Sequence, residues 1–230
     1  ILGAMPGVYA KRVTALGYRE QNRTDIFDDG DVNLYGNPFS NTAMLLELSN
    51  GGIARISENR CVGWRAPETY ISQFYGSDGG YEFSVAHHYM AQWDPERYGF
   101  VKMREVTDEV LPLSTSSLIH NEPEKAVQEI ANGCGSTESA PIQPTERLPK
   151  EFSGMPNGHN GTHHFLIDDF CRAATTGKLS PTNIWQVARF NIPGLLAHES
   201  ALHGGIPMEV PDLGDPPADW TLLNPDHFPI

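Results

Sequence analysis

The sequence predicts an α+β protein with an open, mainly antiparallel β-sheet and helices packed on one face of that sheet. Strand patterns fill the first half of the chain and helix patterns fill the second half, which is the order typical of α+β folds. Two glycine-rich segments, residues 50–52 and 76–80, each lie between strand-like runs, and this arrangement predicts two hairpins. We expect one domain over residues 1–213 and a tail rich in Pro and Asp over residues 214–230.

The predicted strands are rich in β-branched and aromatic residues or alternate between apolar and polar side chains. The run YEFSVAHHYM at residues 81–90 is predicted as one strand of the second hairpin. A short strand at residues 208–210 is expected near the end of the domain. The other expected strands lie at residues 11–18, 42–49, 53–59, 69–75 and 100–110.

Three helices are predicted in the second half of the chain, at residues 122–132, 162–176 and about 183–203. In the second of these, apolar residues recur at helical spacing and indicate one buried face, namely Leu166, Phe170, Ala173 and Ala174. Pro193 lies inside the third helix and predicts a kink or a break there, because proline removes a backbone donor.

The charge of the chain limits the partners that it can bind. Sixteen Lys and Arg residues stand against 29 Asp and Glu residues, giving a formal net charge of −13. This field repels phosphate groups, so nucleic acid and anionic membrane surfaces are not expected as partners. A neutral polar ligand such as a sugar fits the field better than a polyanion. The sequence contains no stretch of apolar residues long enough for a membrane span.

The densest chemical motif is Gly-His-Asn-Gly-Thr-His-His at residues 158–164, at the start of the predicted second helix. Glycines allow a ligand to approach the backbone closely, the helix start offers unpaired N–H groups, and imidazoles donate, accept and shuttle protons. The motif therefore suits sugar hydroxyls. Taken by itself, however, the motif favours a glycine-rich loop with solvated histidines, capped by Thr162.

The other histidines and acidic residues do not form a metal or cofactor motif. His198 and His203 are five residues apart on a predicted helix, so their rings diverge by about 140° and do not form a zinc pair. His87 and His88 are adjacent in a predicted strand and should face opposite sides. The doublet at residues 168–169 is expected on a solvated helix face, although Asp168 could orient His164 one turn earlier. No GxGxxG dinucleotide motif follows any predicted strand.

Residues 158–213 resemble the C-terminal domain of the Gfo/Idh/MocA oxidoreductase family. The similar features are the G-H-x-G-x-H loop, the FLIDDF helix, the PGLLAHESA helix and the GG-x-P-x-x-V-P ending. Weaker similarity lies in LELSNGGIARI at residues 46–56 and FYGSDGGYEF at residues 74–83. The resemblance extends from about residue 8 to residue 213.

The resemblance implies the substrate-binding and oligomerisation part of an NAD(P)-dependent oxidoreductase that acts on a sugar, cyclitol or related polyol. NAD or NADP would be bound mainly by an N-terminal Rossmann domain, which this sequence lacks, so no cofactor-binding residue is assigned here. The chain also lacks the Lys-Pro segment that supplies the family's usual lysine. We therefore expect it to be part of a longer protein and inactive alone, and we expect a homo-oligomer formed through the sheet.

Five residues are assigned to the substrate site on this basis. His159, Asn160 and His163 are expected to bind substrate hydroxyls, and His163 is also the expected catalytic proton-transfer residue. Arg65 and Tyr75 are weaker candidates for the cleft wall. No metal ligand is assigned.

Two alternatives to the dehydrogenase remain open. One is an NAD-dependent, redox-assisted glycosidase of the same superfamily, and the other is a non-catalytic sugar-binding or dimerisation module. The three separated cysteines indicate free thiols and hence a cytoplasmic protein, although an export signal outside this sequence would change that location.

Overall fold

The computed structural model describes residues 2–59, 72–84, 87–94, 96, 99–100, 103–106, 109, 148–152 and 163–223. Within these residues the chain forms two compact units. The first unit contains residues 2–59 and 181–221, and the second contains the described residues between 72 and 180 together with 222–223. The single-domain prediction for residues 1–213 stays a prediction.

The described helices and strands confirm the α+β class. Short 3-10 turns occur at Leu2–Ala4 and Lys150–Phe152, and the α-helices are α1 (Thr24–Phe27), α2 (His163–Thr176) and α3 (Ile184–Leu202). The strands are β1 (Ala10–Arg19), β2 (Phe39–Leu48), β3 (Ile53–Asn59), β4 (Ser72–Tyr75), β5 (Gly79–Ser84), β6 (His87–Asp94), β7 (Gly99–Phe100), β8 (Arg104–Glu105) and β9 (Met208–Glu209).

The first unit contains an open antiparallel sheet in the order β3-β2-β1-β9. Its first hairpin forms where the sequence predicts it, because Gly51 takes a φ of +82° in the turn between β2 and β3. Val13 lies opposite Leu46 in the register of β1 and β2, and both side chains are buried. The face that carries these two residues forms the apolar core of the unit, together with α3.

Two local contacts fix α3 and β1 in this unit. β9 pairs with β1 only at Arg12 and Val13, so the backbone further along this edge needs another partner. The Ser200 hydroxyl supplies it by accepting a hydrogen bond from the Ala15 backbone N–H at 3.0 Å. The same hydroxyl donates to the Ile206 carbonyl at 2.6 Å. A buried serine thus replaces the missing strand bonds at this edge.

Helix α3 runs unbroken through Pro193, so the predicted break does not occur. It begins where the Asn183 side chain accepts a hydrogen bond from the Gln186 N–H at 3.1 Å, as an N-cap residue does. Pro193 itself is buried. Packing of the helix against the sheet outweighs the single backbone bond that proline removes.

The chain after β9 is held against α3 by Arg189. Its guanidinium donates to both carboxylate oxygens of Asp212, at 2.7 and 2.9 Å, and to Asp215 at 2.9 Å. It also lies 4.9 Å from the centre of the Tyr9 ring, within the range of a cation–π contact. The hydrogen bonds from Arg189 hold the pKa of Asp212 below its ordinary value.

The second unit contains the antiparallel strands β4-β5-β6-β7, and β8 also pairs with β6. The predicted strand at residues 81–90 is wrong in one respect, because this run supplies parts of two paired strands, β5 and β6. The run contains no Gly, Pro, Asn or Asp that would mark a reversal, and so the sequence pattern missed it. The expected strand at residues 100–110 is represented by the short strands β7 and β8. The predicted helix at residues 122–132 lies outside the described residues.

Candidate functional site

Helix α2 opens with His163, the predicted catalytic residue. His163 is the first residue of the helix and its side chain is exposed. The helix ends at Thr176, before Gly177, which takes a φ of +68°, a conformation that glycine adopts readily. Residues 158–162 of the motif, which include His159 and Asn160, lie outside the described residues, as does Arg65.

The face that α2 buries differs from the predicted one. Leu166 is 52% exposed and Phe170 is 70% exposed, whereas Asp168 is only 6% exposed. Asp169 and His164 are buried as well. The expectation of a solvated Asp168–Asp169 doublet is therefore wrong, and so is the expectation that Leu166 and Phe170 lie on the buried face. Helical spacing identifies residues that share a face, but it does not say which face the rest of the protein covers.

Asp168 is buried with a cationic partner on the same helix. Its Oδ2 accepts a hydrogen bond from the Arg172 Nε at 2.8 Å, one helical turn further along. An unpaired carboxylate is costly to bury, and the guanidinium reduces that cost. His164 lies one turn before Asp168 and is also buried, so the first two turns of α2 bury ionisable groups beneath the exposed His163.

Tyr75, the other described candidate, lies on β4 in the same unit. Its ring lies over Gly80, the residue opposite it on β5, because a Cβ built on Gly80 would be 3.1 Å from the Tyr75 Cδ1 atom. The Tyr75 hydroxyl donates a hydrogen bond to the Glu82 carboxylate. The side chain nevertheless remains 70% exposed. Gly80 thus allows the aromatic ring to lie along the sheet surface with its outer side accessible.

The register of the second sheet places further polar side chains beside Tyr75. Gln73 lies opposite Glu82, Glu82 lies opposite Tyr89, and Tyr89 lies opposite Glu105. Residues directly opposite each other share one face of a sheet. We call this surface the tyrosine–glutamate face; its members are Gln73, Tyr75, Glu82, Tyr89 and Glu105. No local sequence pattern predicts this face, because it depends on the pairing of four strands.

The opposite face of the same sheet is more buried. His88 is buried, and its Nδ1 shares a hydrogen bond with the Tyr81 hydroxyl. The Tyr81 ring also packs against Phe74 at a centroid distance of 6.4 Å. Burial raises the pKa of the Tyr81 hydroxyl above its ordinary value. The hydrogen bond between Tyr81 and His88 therefore links β5 to β6.

The histidines of α3 contact different neighbours. The His198 ring packs edge-on against Phe39 at a centroid distance of 6.0 Å, whereas His203 Nδ1 lies 2.8 Å from the Glu199 carbonyl oxygen. In the part of the chain that the structure describes, no three His, Cys, Asp or Glu side chains converge as metal ligands. No helix among the same residues has the length and apolar character needed to cross a membrane.

No family model matches the sequence, and no curated protein matches it either. Several solved structures do. Levoglucosan dehydrogenase in complex with NADH and levoglucosan has 15% identity and a TM-score of 0.46; the match covers 89% of this chain and 46% of that protein. An NAD-binding oxidoreductase from Klebsiella pneumoniae has 10% identity, a TM-score of 0.48 and coverages of 88% and 45%.

An inositol dehydrogenase homologue from Azotobacter vinelandii, complexed with NADH and myo-inositol, has 12% identity, a TM-score of 0.38 and coverages of 89% and 45%. The similarity of each structure is too low to carry an argument about activity. The chain spans less than half the length of these three proteins. Each of these three structures is named as an NAD-binding or NADH-complexed oxidoreductase or dehydrogenase, the kind of protein that the family resemblance of the sequence implies.

Proposed function

We propose that this chain is the substrate-binding and oligomerisation part of an NAD(P)-dependent oxidoreductase that acts on a sugar, cyclitol or related polyol by hydride transfer. The observation that carries the proposal is the histidine motif at the start of α2. Its last two residues are placed differently, with His163 exposed and His164 buried. An exposed imidazole can donate and accept hydrogen bonds with the hydroxyls of a ligand.

In this proposal the chain binds and orients the substrate. His159, Asn160 and His163 hydrogen-bond substrate hydroxyls, and His163 accepts or returns the proton of the reacting hydroxyl. Arg65 and Tyr75 contribute to the wall of the cleft. His164, Asp168 and Arg172 support the first turns of α2 from its buried side.

The nicotinamide cofactor would supply the hydride chemistry. The described strands pair antiparallel, and a dinucleotide fold needs parallel strands joined by a helix. The described residues therefore do not fit a dinucleotide, and we place NAD or NADP on a Rossmann domain outside this sequence. The exposed Cys171 is a free thiol, which supports a reducing, cytoplasmic location.

The first sheet supports the expected homo-oligomer. On the side opposite Val13 and the core, β1 and β2 expose Leu16 and Leu45, and β3 exposes Ile53. Exposed apolar side chains that share one face are typical of interfaces between subunits. A Leu45→Glu variant should shift the protein to a smaller species in light scattering. If the mass is unchanged, the first sheet does not form the interface between subunits.

The proposal is tested with the protein at full length, incubated with NAD or NADP and a panel of sugars and polyols. NADH or NADPH formation supports the dehydrogenase. Aglycone release from glycosides without net cofactor reduction identifies the redox-assisted glycosidase instead, and sugar binding with neither signal leaves the non-catalytic module.

His163→Ala should reduce kcat by about 100-fold, because a positioned acid–base group contributes about that much. His203→Ala is the matched control, since His203 is an exposed histidine of the first unit. Equal activity in both variants would exclude His163 from proton transfer.

A further inference from the structure

We propose that the tyrosine–glutamate face binds the ring of a neutral carbohydrate, with Tyr75 stacking on the ring and Glu82 accepting a hydrogen bond from one of its hydroxyls. The inference rests on the proposed function for its class of ligand. It goes further by assigning neighbours to Tyr75 and by adding Gln73, Glu82, Tyr89 and Glu105 to the binding residues.

The orientation of the Tyr75 ring suits stacking on a sugar ring. Gly80 has no side chain, and the ring lies so close that a Cβ there would be 3.1 Å from its Cδ1 atom. The hydroxyl is held by Glu82, so both ends of the side chain are fixed while 70% of it remains exposed. An aromatic ring has a negative face and a positive edge. The weakly positive C–H groups on one side of a sugar ring complement that face.

Hydrogen-bonding groups lie around this ring. Glu82 and Glu105 carry carboxylates, which accept hydrogen bonds from hydroxyls, and Gln73 carries an amide, which both donates and accepts. These residues lie on successive or neighbouring strands. Since adjacent strands are about 4.8 Å apart, the strands of Tyr75 and Tyr89 are separated by about 10 Å, which is wider than one sugar ring.

The charge of the face decides between classes of ligand. Two carboxylates within a chain of net charge −13 repel phosphorylated or uronic ligands. An apolar ligand would desolvate both carboxylates without replacing their hydrogen bonds. A cation would be attracted by the charge, but binding through an aromatic cage requires several rings around it. Tyr75 instead lies along a sheet and offers one side of its ring.

The experiment measures binding of glucose, galactose, xylose and cellobiose to the protein by saturation-transfer NMR and calorimetry. We expect at least one of these neutral sugars to bind. Tyr75→Ala should weaken that binding about tenfold, the usual effect of losing one stacking ring. Glu82→Gln should weaken it about threefold, because the amide retains the shape but loses a charged acceptor. Tyr75→Phe should keep most of the affinity.

Tyr35→Ala is the matched control, because Tyr35 is 96% exposed and belongs to the first unit. It should leave the affinity unchanged. Far-ultraviolet circular dichroism of every variant confirms that the fold is intact. If Tyr75→Ala does not fold, the nearly isosteric Glu82→Gln variant decides the matter. Glucosamine and glucuronate serve as cationic and anionic competitors.

Three results would overturn the inference. None of the neutral sugars binds, glucosamine alone binds, or Tyr75→Ala and Glu82→Gln both bind sugar as tightly as the parent protein. Its failure is separable from failure of the proposed function. Sugar binding that depends on Tyr75 without cofactor reduction retains the inference and removes the dehydrogenase. Cofactor reduction that is insensitive to changes at Tyr75 and Glu82 supports the dehydrogenase and removes the inference.

Discussion

Both units place an aromatic ring over a glycine of the neighbouring strand, but with opposite exposure. In the first unit a Cβ on Gly17 would lie 2.4 Å from the Phe39 ring, and Phe39 is 8% exposed. In the second unit Tyr75 covers Gly80 and is 70% exposed. The same steric arrangement therefore closes a core in one sheet and presents a surface ring in the other. We therefore expect the buried ring to contribute to the stability of the first unit, and we propose that the exposed ring of the second unit contacts a ligand.

The largest expected effect on stability is in the core of the first unit. Leu46 is 1% exposed, and Leu46→Ala should lower the free energy of unfolding by about 3 kcal/mol, because it removes buried methyl groups and leaves a cavity. Leu34→Ala is the control in the same unit, since Leu34 is 75% exposed and lies outside the sheet, and its effect should stay below about 0.5 kcal/mol. Urea denaturation measures both. Equal losses of unfolding free energy in the two variants would contradict the assignment of Leu46 to the core.

Matched glycine substitutions then compare the two units directly. Gly17→Ala should cost about 2 kcal/mol of unfolding free energy, because the buried Phe39 ring has little room to move. Gly80→Ala should cost less, about 1 kcal/mol, because a shift of a few tenths of an ångström in the exposed Tyr75 ring relieves the 3.1 Å approach. Gly80→Ala should nevertheless weaken sugar binding, whereas Gly17→Ala should not. A larger loss of unfolding free energy for Gly80→Ala than for Gly17→Ala would contradict this comparison of the two units.

The Arg189 ion pair gives a smaller, pH-dependent effect in the first unit. Arg189→Ala should lower the free energy of unfolding by about 1.5 kcal/mol at neutral pH, because charge-assisted hydrogen bonds to Asp212 are lost. Since the pKa of Asp212 is lowered in the folded state, the stabilisation is complete above the ordinary aspartate pKa of about 3.9. It is lost as the pH falls through the lower folded-state value.

Denaturation of the parent protein and of the Arg189→Ala variant across this pH range checks the effect. The difference between their free energies of unfolding should become smaller in acid. Arg23→Ala is the control, because Arg23 and Asp25 form an exposed ion pair, and such pairs contribute little to stability. A difference for Arg189 that does not change with pH would exclude Asp212 as the partner responsible.

The sequence was sufficient for elements whose signals are local. Alternation and the turn at Asn50–Gly52 predicted the β2–β3 hairpin, and Asn183 marked the start of α3. The buried face of α2 was predicted wrongly, because the spacing of Leu166 and Phe170 gives no information about which side is covered. The neighbours of Tyr75 were not predicted at all. They depend on the registers of β4, β5, β6 and β8, which no single segment specifies.

The most direct test of the division between the two units is amide hydrogen exchange, measured with and without a neutral sugar that the protein binds. Binding should slow exchange in the second unit, at β4 and β5 around Tyr75 and Glu82 and at the first turns of α2. The first unit should show no change in β1 or β2. Slower exchange along Leu16 and Leu45 instead, with β4 and β5 unaffected, would contradict the account and place the ligand on the first sheet.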